Sequence, residues 1–269
     1  SAPDLLLDLL GPDQIRAYHP TPFDVVLQNR GNVDALAVPV WIAGIPADAT
    51  VEFEAAAPPV EGGEPDWSAV PLTFTSAGGR YLALVIPRVP PGVLSRRIVL
   101  TVPATYPTFQ LIAASTPPWA DGNTFRTCLS TGGPIQNPAC MGSQLDAITA
   151  YLAGSSGIDA LSGAGVWAKI AWQCEGVANL PGAIAKAEQV LDFLVGPVEQ
   201  PGASPANCGD AVEPRWRDTL PVSVVGSIDP NDKLGPQGIL SGDQAIAYQI
   251  RSENLSNATA AAQEVRVVD

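Results

Sequence analysis

The sequence predicts a mainly β chain: an Ig-like β-sandwich, a disulfide-bearing helical insertion and the start of a second β module. Three observations carry that expectation. Apolar runs rich in Val, Ile and Leu recur between Pro- and Gly-containing turns over residues 13–112, which is the rhythm of a sandwich. Helical spacing of apolar residues appears only within 143–195. A strand-and-turn pattern beginning at Val25 returns at Ile250.

In chain order, Phe23-Asp-Val-Val-Leu-Gln28 and Val38-Pro-Val-Trp-Ile42 flank Asn29–Asp34, a turn whose Asn and Gly tolerate positive φ. Thr50–Glu54, Val70–Thr75, Tyr81–Ile86 and Arg96–Val102 follow as strands. Gly44-Ile-Pro46 and Ile86-Pro-Arg-Val-Pro-Pro-Gly92 read as loops, because proline lacks the N–H that an interior strand donates. Residues 113–142 also read as loop, with Pro117-Pro118, Asp121-Gly122 and Gly132-Gly133-Pro134. Ser143–Ala153 places apolar residues at 145, 148, 151 and 152, one helical face. Trp167–Cys174 is short and apolar and is open to helix or strand. Pro181–Val195 is a helix with Pro in its first turn and Gly196-Pro197 as its stop. Residues 197–221 return to Pro-rich loop, and Val222–Ile228 is a strand running into a junction. The expected domains are 1–112, 113–221 and 222–269.

The last stretch echoes the first. Val25–Ala35 corresponds to Ile250–Ala260 at an offset of 225 residues. Both copies run from a strand into Asn-x-x-Asn-x-(Asp or Thr)-Ala and then into a second apolar strand, Glu264–Val268 in the later copy. The chain would then hold one sandwich and the opening hairpin of another. So short a second piece cannot bury a core alone. It would pack on the first module, continue in a longer protein, or pair strands 244–250 and 264–268 with a neighbouring copy by strand addition.

Composition narrows the function classes. Lys and Arg number 14 against 27 Asp and Glu, a formal net charge of −13. So acidic a surface repels phosphate backbones and anionic lipids, which argues against nucleic-acid and membrane partners. No apolar run approaches the roughly 18 residues that cross a bilayer. The start at Ser1 reads as a processed or excised chain. Four Cys at 128, 140, 174 and 208 suit two disulfides in an oxidising, secreted or cell-surface setting. No Cys-x-x-Cys pair or nearby His is present, which argues against zinc. Three connectivities are open; Cys128–Cys140 with Cys174–Cys208 is favoured because neither loop crosses the other.

Chemistry-bearing residues are few. Asp229-Pro-Asn-Asp232 concentrates oxygen ligands in one rigid turn. Asp229, Asn231 and Asp232 could take calcium, with Asp13, Asp24, Asp243 and Asp269 as further donors if folding brings them near. The rival readings are an Asx-type turn and self-cleavage at Asp229–Pro230. His19 is the single histidine, in an extended loop, so a Ser-His-Asp or Cys-His site would have to use it. There is no Gly-x-Ser-x-Gly elbow, and Gly154-Ser-Ser-Gly157 reads as a helix separator. Paired-carboxylate hydrolysis needs only two acids in a cleft and cannot be placed from sequence. Trp41, Trp167 and Trp172 fit core positions, while Trp67, Trp119 and Trp216 lie in Pro-rich loops and suit an exposed sugar-stacking face. Asn254-Leu-Ser and Asn257-Ala-Thr match the N-glycosylation pattern incidentally.

Asp-x-Asn-Asp at 229–232 resembles the calcium-binding linkers between cadherin domains, departing from them at Lys233. The stretch Ser227–Asp269 is similar to a junction found in very large secreted or cell-surface bacterial proteins, some of which carry Rhs-type repeats. The matching residues are Asp229–Lys233, Gly235, Pro236, Gly238, Tyr248, Ile250, Arg251, Glu253, Asn254, Ala258–Gln263 and Asp269. Residues 32–40 also look like the Ig-like modules of such proteins. The resemblance implies a non-catalytic structural or adhesive module, with neighbouring modules, surface glycans or proteins as partners. A secreted polymer-acting hydrolase or carbohydrate-binding module is the alternative.

Overall fold

A computed structural model describes residues 3–76, 79–115, 135–195, 216–226, 232–234, 249–251 and 258–260. Elements are numbered in chain order. Four strands, β1 (Leu5–Leu10), β3 (Thr21–Asn29), β8 (Gly92–Thr101) and β5 (Thr50–Glu52), form one sheet in that spatial order. A seven-stranded sheet faces it. Its path is β10 (Leu161–Ser162), β7 (Gly79–Val89), β4 (Ala35–Ile45), β9 (Thr108–Ser115), β11 (Trp216–Val225) and β2 (Gln14–Arg16), and β6 (Thr73–Ser76) also pairs with β7. All these pairings are antiparallel except β11 with β2. Helices α1 (Pro138–Gly154), α2 (Gly163–Cys174) and α3 (Leu180–Val195) cover the outer face of the larger sheet. A short pair, β12 (Asp232–Leu234) with β13 (Gln249–Arg251), forms a separate ribbon.

The burial pattern follows from this layering. In β3, Phe23, Val25 and Leu27 point into the core while Asp24 and Gln28 lie on the other face, so the smaller sheet has one wet side. In β4 and β7 the middle residues are buried without interruption. Val38, Val40 and Ile42 face the smaller sheet, whereas Trp41 and Ala43 face the helices. Leu82 and Leu84 divide from Tyr81 and Ala83 in the same way. A sheet buried on both faces needs apolar residues at every position, and these two strands supply them.

Several expectations are corrected. Asn29–Asp34 is not a hairpin turn, since β3 and β4 belong to different sheets and the chain crosses between them. Asn29 holds this crossing. Its carbonyl oxygen accepts from the N–H of Asp4 (3.2 Å) and Gly31 (3.0 Å), and its amide donates to the carbonyls of Val33 (2.8 Å) and Val89 (3.0 Å). Gly44, expected in a loop, lies inside β4 at a bulge, with φ of +78°. A Cβ there would fall 1.8 Å from the Gln110 carbonyl oxygen, so only glycine fits.

The expected boundary at 222 falls inside a strand of the sandwich. β11 begins at Trp216 and pairs with β9 from Trp216 to Ser223, so residues read as loop and junction strand complete the sandwich. The strands β1, β2 and β9 lie outside the strands that the sequence pattern marks. The helices also lack a separate interior: Met141, Leu145, Trp167, Ile170 and Val190 share one core with Trp41 and Tyr81 of the sheet.

The favoured disulfide pairing is overturned. Cys140 in the first turn of α1 is bonded to Cys174 at the end of α2, with Cα atoms 5.5 Å apart and a sequence separation of 34. Packing of the two helices, rather than nearness in sequence, decides the partner. Cys128 and Cys208 lie outside the described residues.

Candidate functional site

Among the described residues, those singled out in the sequence are distributed over several parts of the fold. His19 sits in an exposed turn, where its N–H donates to the Arg16 carbonyl and its carbonyl accepts from the Thr21 hydroxyl. Ser155 caps α1 by donating to the Leu152 carbonyl, in keeping with a helix separator. Trp41 and Trp167 are core residues. Trp67, expected on an exposed face, is fully buried, and its ring meets Trp172 edge-on at 6.3 Å. Trp216 opens β11. Asp229, Asn231, Asp243, Asp269 and Trp119 lie outside the described residues, as does the Asp229–Pro230 bond. Asp232 begins β12 opposite Arg251. Asp24 is taken by Arg97, which donates to both carboxylate oxygens at 2.9 Å. Those bonds hold the Asp24 carboxyl below its ordinary range.

Two polar clusters that sequence reasoning missed are built by the fold. The first lies under α2. Lys169, only 3% exposed in its side chain, donates to the Pro59 carbonyl at 2.8 Å and reaches Glu61 and Glu64 at 3.2 Å each. Glu64 also accepts from the Trp67 indole N–H and from the Gln173 amide. Burial pushes the Glu64 carboxyl up, but bonds from the Glu61 N–H, Trp67, Lys169 and Gln173 outweigh it and leave the group acidic. Lys169 and Gln173 stand four residues apart on one helical face, and a lone Lys inside the apolar run Trp167–Trp172 was the available signal. Nearby, Glu175 accepts from the N–H groups of Gln136 and Asn137 and pairs with Lys186, tying the start of α1 to α3.

The second cluster opens to solvent. A cleft of about 390 Å³ lies between Phe53–Ala56, Arg96 and Arg97 of β8, and Gly157–Ala160 before β10. Its floor is closed by backbone bonds from the Ala56 N–H to the Ala160 carbonyl and from the Ser162 N–H to the Ala56 carbonyl, both 2.9 Å. Arg96 pairs with Asp159 at 3.2 Å, and its Nε is buried with no protein acceptor among the described residues. The lining holds no Ser, Thr, Cys or His, so it offers guanidinium donors and the carboxyls of Glu54 and Asp159 rather than an activated nucleophile. Such a set can bind hydroxyl or carboxylate oxygens.

No family model and no curated protein matches the chain. Similar solved structures include the CARDB domain of a Pyrococcus furiosus protein in complex with di-metal ions. It is 13% identical over 42% of this chain and 73% of that one, with a TM-score of 0.27. A solution structure of that domain gives 14% identity over 45% and 79%, with a TM-score of 0.25. AvmM, which catalyses macrocyclization in alchivemycin A biosynthesis, matches at 14% over 42% and 73%, with a TM-score of 0.27. At these scores the overlaps assign nothing to this chain. Among the described residues no helix is long and apolar enough to cross a membrane.

Proposed function

We propose that the protein is a non-catalytic, Ig-like structural or adhesive module of a large secreted or cell-surface protein. The observation that supports this best is how its helical layer is fastened. A disulfide ties two of the helices to each other, and a buried charge pair ties α2 to the segment that precedes the 3-10 turn, over a sandwich core closed by its two sheets. The buried charges of this network are paired with one another, Lys169 with Glu64 and Lys186 with Glu175. A disulfide also suits an oxidising compartment. The partners would be neighbouring modules, surface glycans or proteins. The test is to incubate the full chain with panels of polysaccharides and peptides and to score both turnover and retention. Retention or inertness without turnover is expected. Turnover abolished by His19→Ala or Asp159→Asn would make the protein a hydrolase instead.

The Arg96 cleft favours a second reading, in which the module holds an acidic or hydroxyl-rich glycan there. Arg96→Ala would then lower glycan retention without lowering the melting temperature. We also propose that Asp229, Asn231 and Asp232 bind calcium and stiffen the junction. Millimolar calcium should raise the melting temperature, and Asp232→Ala should abolish the rise.

A further inference from the structure

The ribbon near the C-terminus reproduces the first strand pair of the sandwich. In that pair Asp8, Leu9 and Leu10 of β1 stand opposite Val26, Val25 and Asp24 of β3. In the ribbon Asp232, Lys233 and Leu234 stand opposite Arg251, Ile250 and Gln249. The step from Asp8 to Asp232 is 224 residues and from Val26 to Arg251 it is 225, so the register is kept with one residue added to the connection. The sequence follows the pairing. Asp8-Leu-Leu-Gly-Pro12 returns as Asp232-Lys-Leu-Gly-Pro236, and Phe23-x-Val-x-x-x-Asn29 returns as Tyr248-x-Ile-x-x-x-Asn254.

A packing reason links the two motifs. A Cβ on Gly11 would fall 2.3 Å from the Phe23 ring, so this glycine is needed wherever that aromatic lies across it. The counterparts of the two are Gly235 and Tyr248, again a glycine with an aromatic. The step also matches the size of the unit. The first sandwich runs from Leu5 in β1 to Val225 in β11, and a step of 224 places the counterpart of Leu5 at Asp229. Only residues 226–228 then separate one unit from the next. Gly226 is bonded across that boundary, donating to the Thr259 hydroxyl at 3.1 Å and accepting from it at 3.4 Å.

We infer that residues 229–260 open a second module of the same three-layered fold, so that the protein is built as a tandem array with a period of 224 residues. The helical layer is then part of every unit rather than an insertion peculiar to the first. The partner that β13 takes is fixed by analogy with β3, which lies between β1 and β8. It is a strand of the β8 kind, followed by the remaining strands of a module like this one. This inference rests on the modular reading above and names the partner of its C-terminal end.

Two measurements test it. In the full chain, nuclear Overhauser contacts should place Lys233 opposite Ile250 and Leu9 opposite Val25. A different register, or none, overturns the proposal. In a chimera, Ala260 is joined to Leu36–Val225 of the same sequence, which supplies the elements that follow β3 in the first unit. Its helical signal should be roughly double that of the native chain, since a second set of three helices forms. Amide protection at 249–251 should rise to the level seen at 24–26. The control replaces residues 229–260 of the chimera with Leu5–Ala35. If the control folds as two units and the chimera as one, the proposal fails. Turnover by the native chain would sink the structural-module reading yet leave this repeat standing.

Discussion

The two interiors of the protein lie on opposite faces of the larger sheet and are held by different means. Between the sheets the core is almost wholly apolar, with Leu5, Phe23, Leu27, Ile42, Leu82, Ile98 and Leu100 buried and Asn29 and Ser115 among its buried polar residues. Between the sheet and the helices lie Trp67, Trp167, Tyr81 and Met141, together with a disulfide, the Lys169–Glu64 pair and the Tyr81–Asp192 hydrogen bond of 3.2 Å. The contrast has a physical reason. Strands within a sheet are registered by their own backbone bonds, and the pleat dictates where side chains go. A helix laid on a sheet makes no backbone bond to it and can slide. Side-chain and covalent fasteners suppress that sliding, and they occur where sliding is the hazard.

The comparison can be broken first in the apolar interior. Phe23→Ala removes a fully buried ring and should cost about 3–5 kcal/mol in denaturant unfolding, with the whole chain losing cooperativity. Lys169→Met attacks the other interior. It strands Glu64, whose side chain is 6% exposed, and should also cost about 3–5 kcal/mol. Replacing both, as Lys169→Met with Glu64→Leu, should recover most of that loss. A double variant no better than the single would show that the network supplies net stability rather than position.

Changing both Cys140 and Cys174 to Ala opens a long loop and should cost roughly 3–4 kcal/mol under the loop-closure model. Helical signal should melt before strand signal in that variant, because only the helical layer loses its fastener. Coincident melting would deny that the two interiors differ. In the native chain all four Cys should be oxidised, which thiol titration under denaturing, non-reducing conditions checks. Gly44→Ala probes the sheet they share and should cost about 2 kcal/mol or more, since it forces a side chain into positive φ against a carbonyl.

The smallest effects are pH slopes, and both belong to the helical side. Glu64 is more acidic folded than unfolded, so its contribution is present above about pH 4.3 and is lost as pH falls through the lower folded value. Glu64→Gln should flatten that acid limb. Tyr81 is shifted upward by burial and by Asp192 and Glu188. Its neutral form is favoured in the fold, so stability should decline as pH rises beyond about 10, the unfolded value. Tyr81→Phe should remove that alkaline slope while losing the bond to Asp192.

Much of this architecture is legible in the residues. The cores of β3, β4, β7 and β8 and the third helix stand where periodicity and punctuation place them, because local pattern and tertiary need agree there. Trp67 was misread because its Pro-rich surroundings look exposed, while a single 3-10 turn carries its ring inward under α2. β11 was misread because Pro221 and a loop-like approach hide a strand, although proline is tolerated where no ladder bond is required of it.

By itself, then, the sequence determined the β-rich class, two of the three helices, cysteines suited to disulfides and the echo between residues 25 and 250. Each of these is written in local spacing or in residue type. Only the tertiary structure decided that β3 and β4 part into two sheets, that Cys140 bonds Cys174 and that Lys169 meets Glu64. These are contacts between residues far apart in the chain. No local pattern encodes them, because their energy arises only when separate elements are packed together.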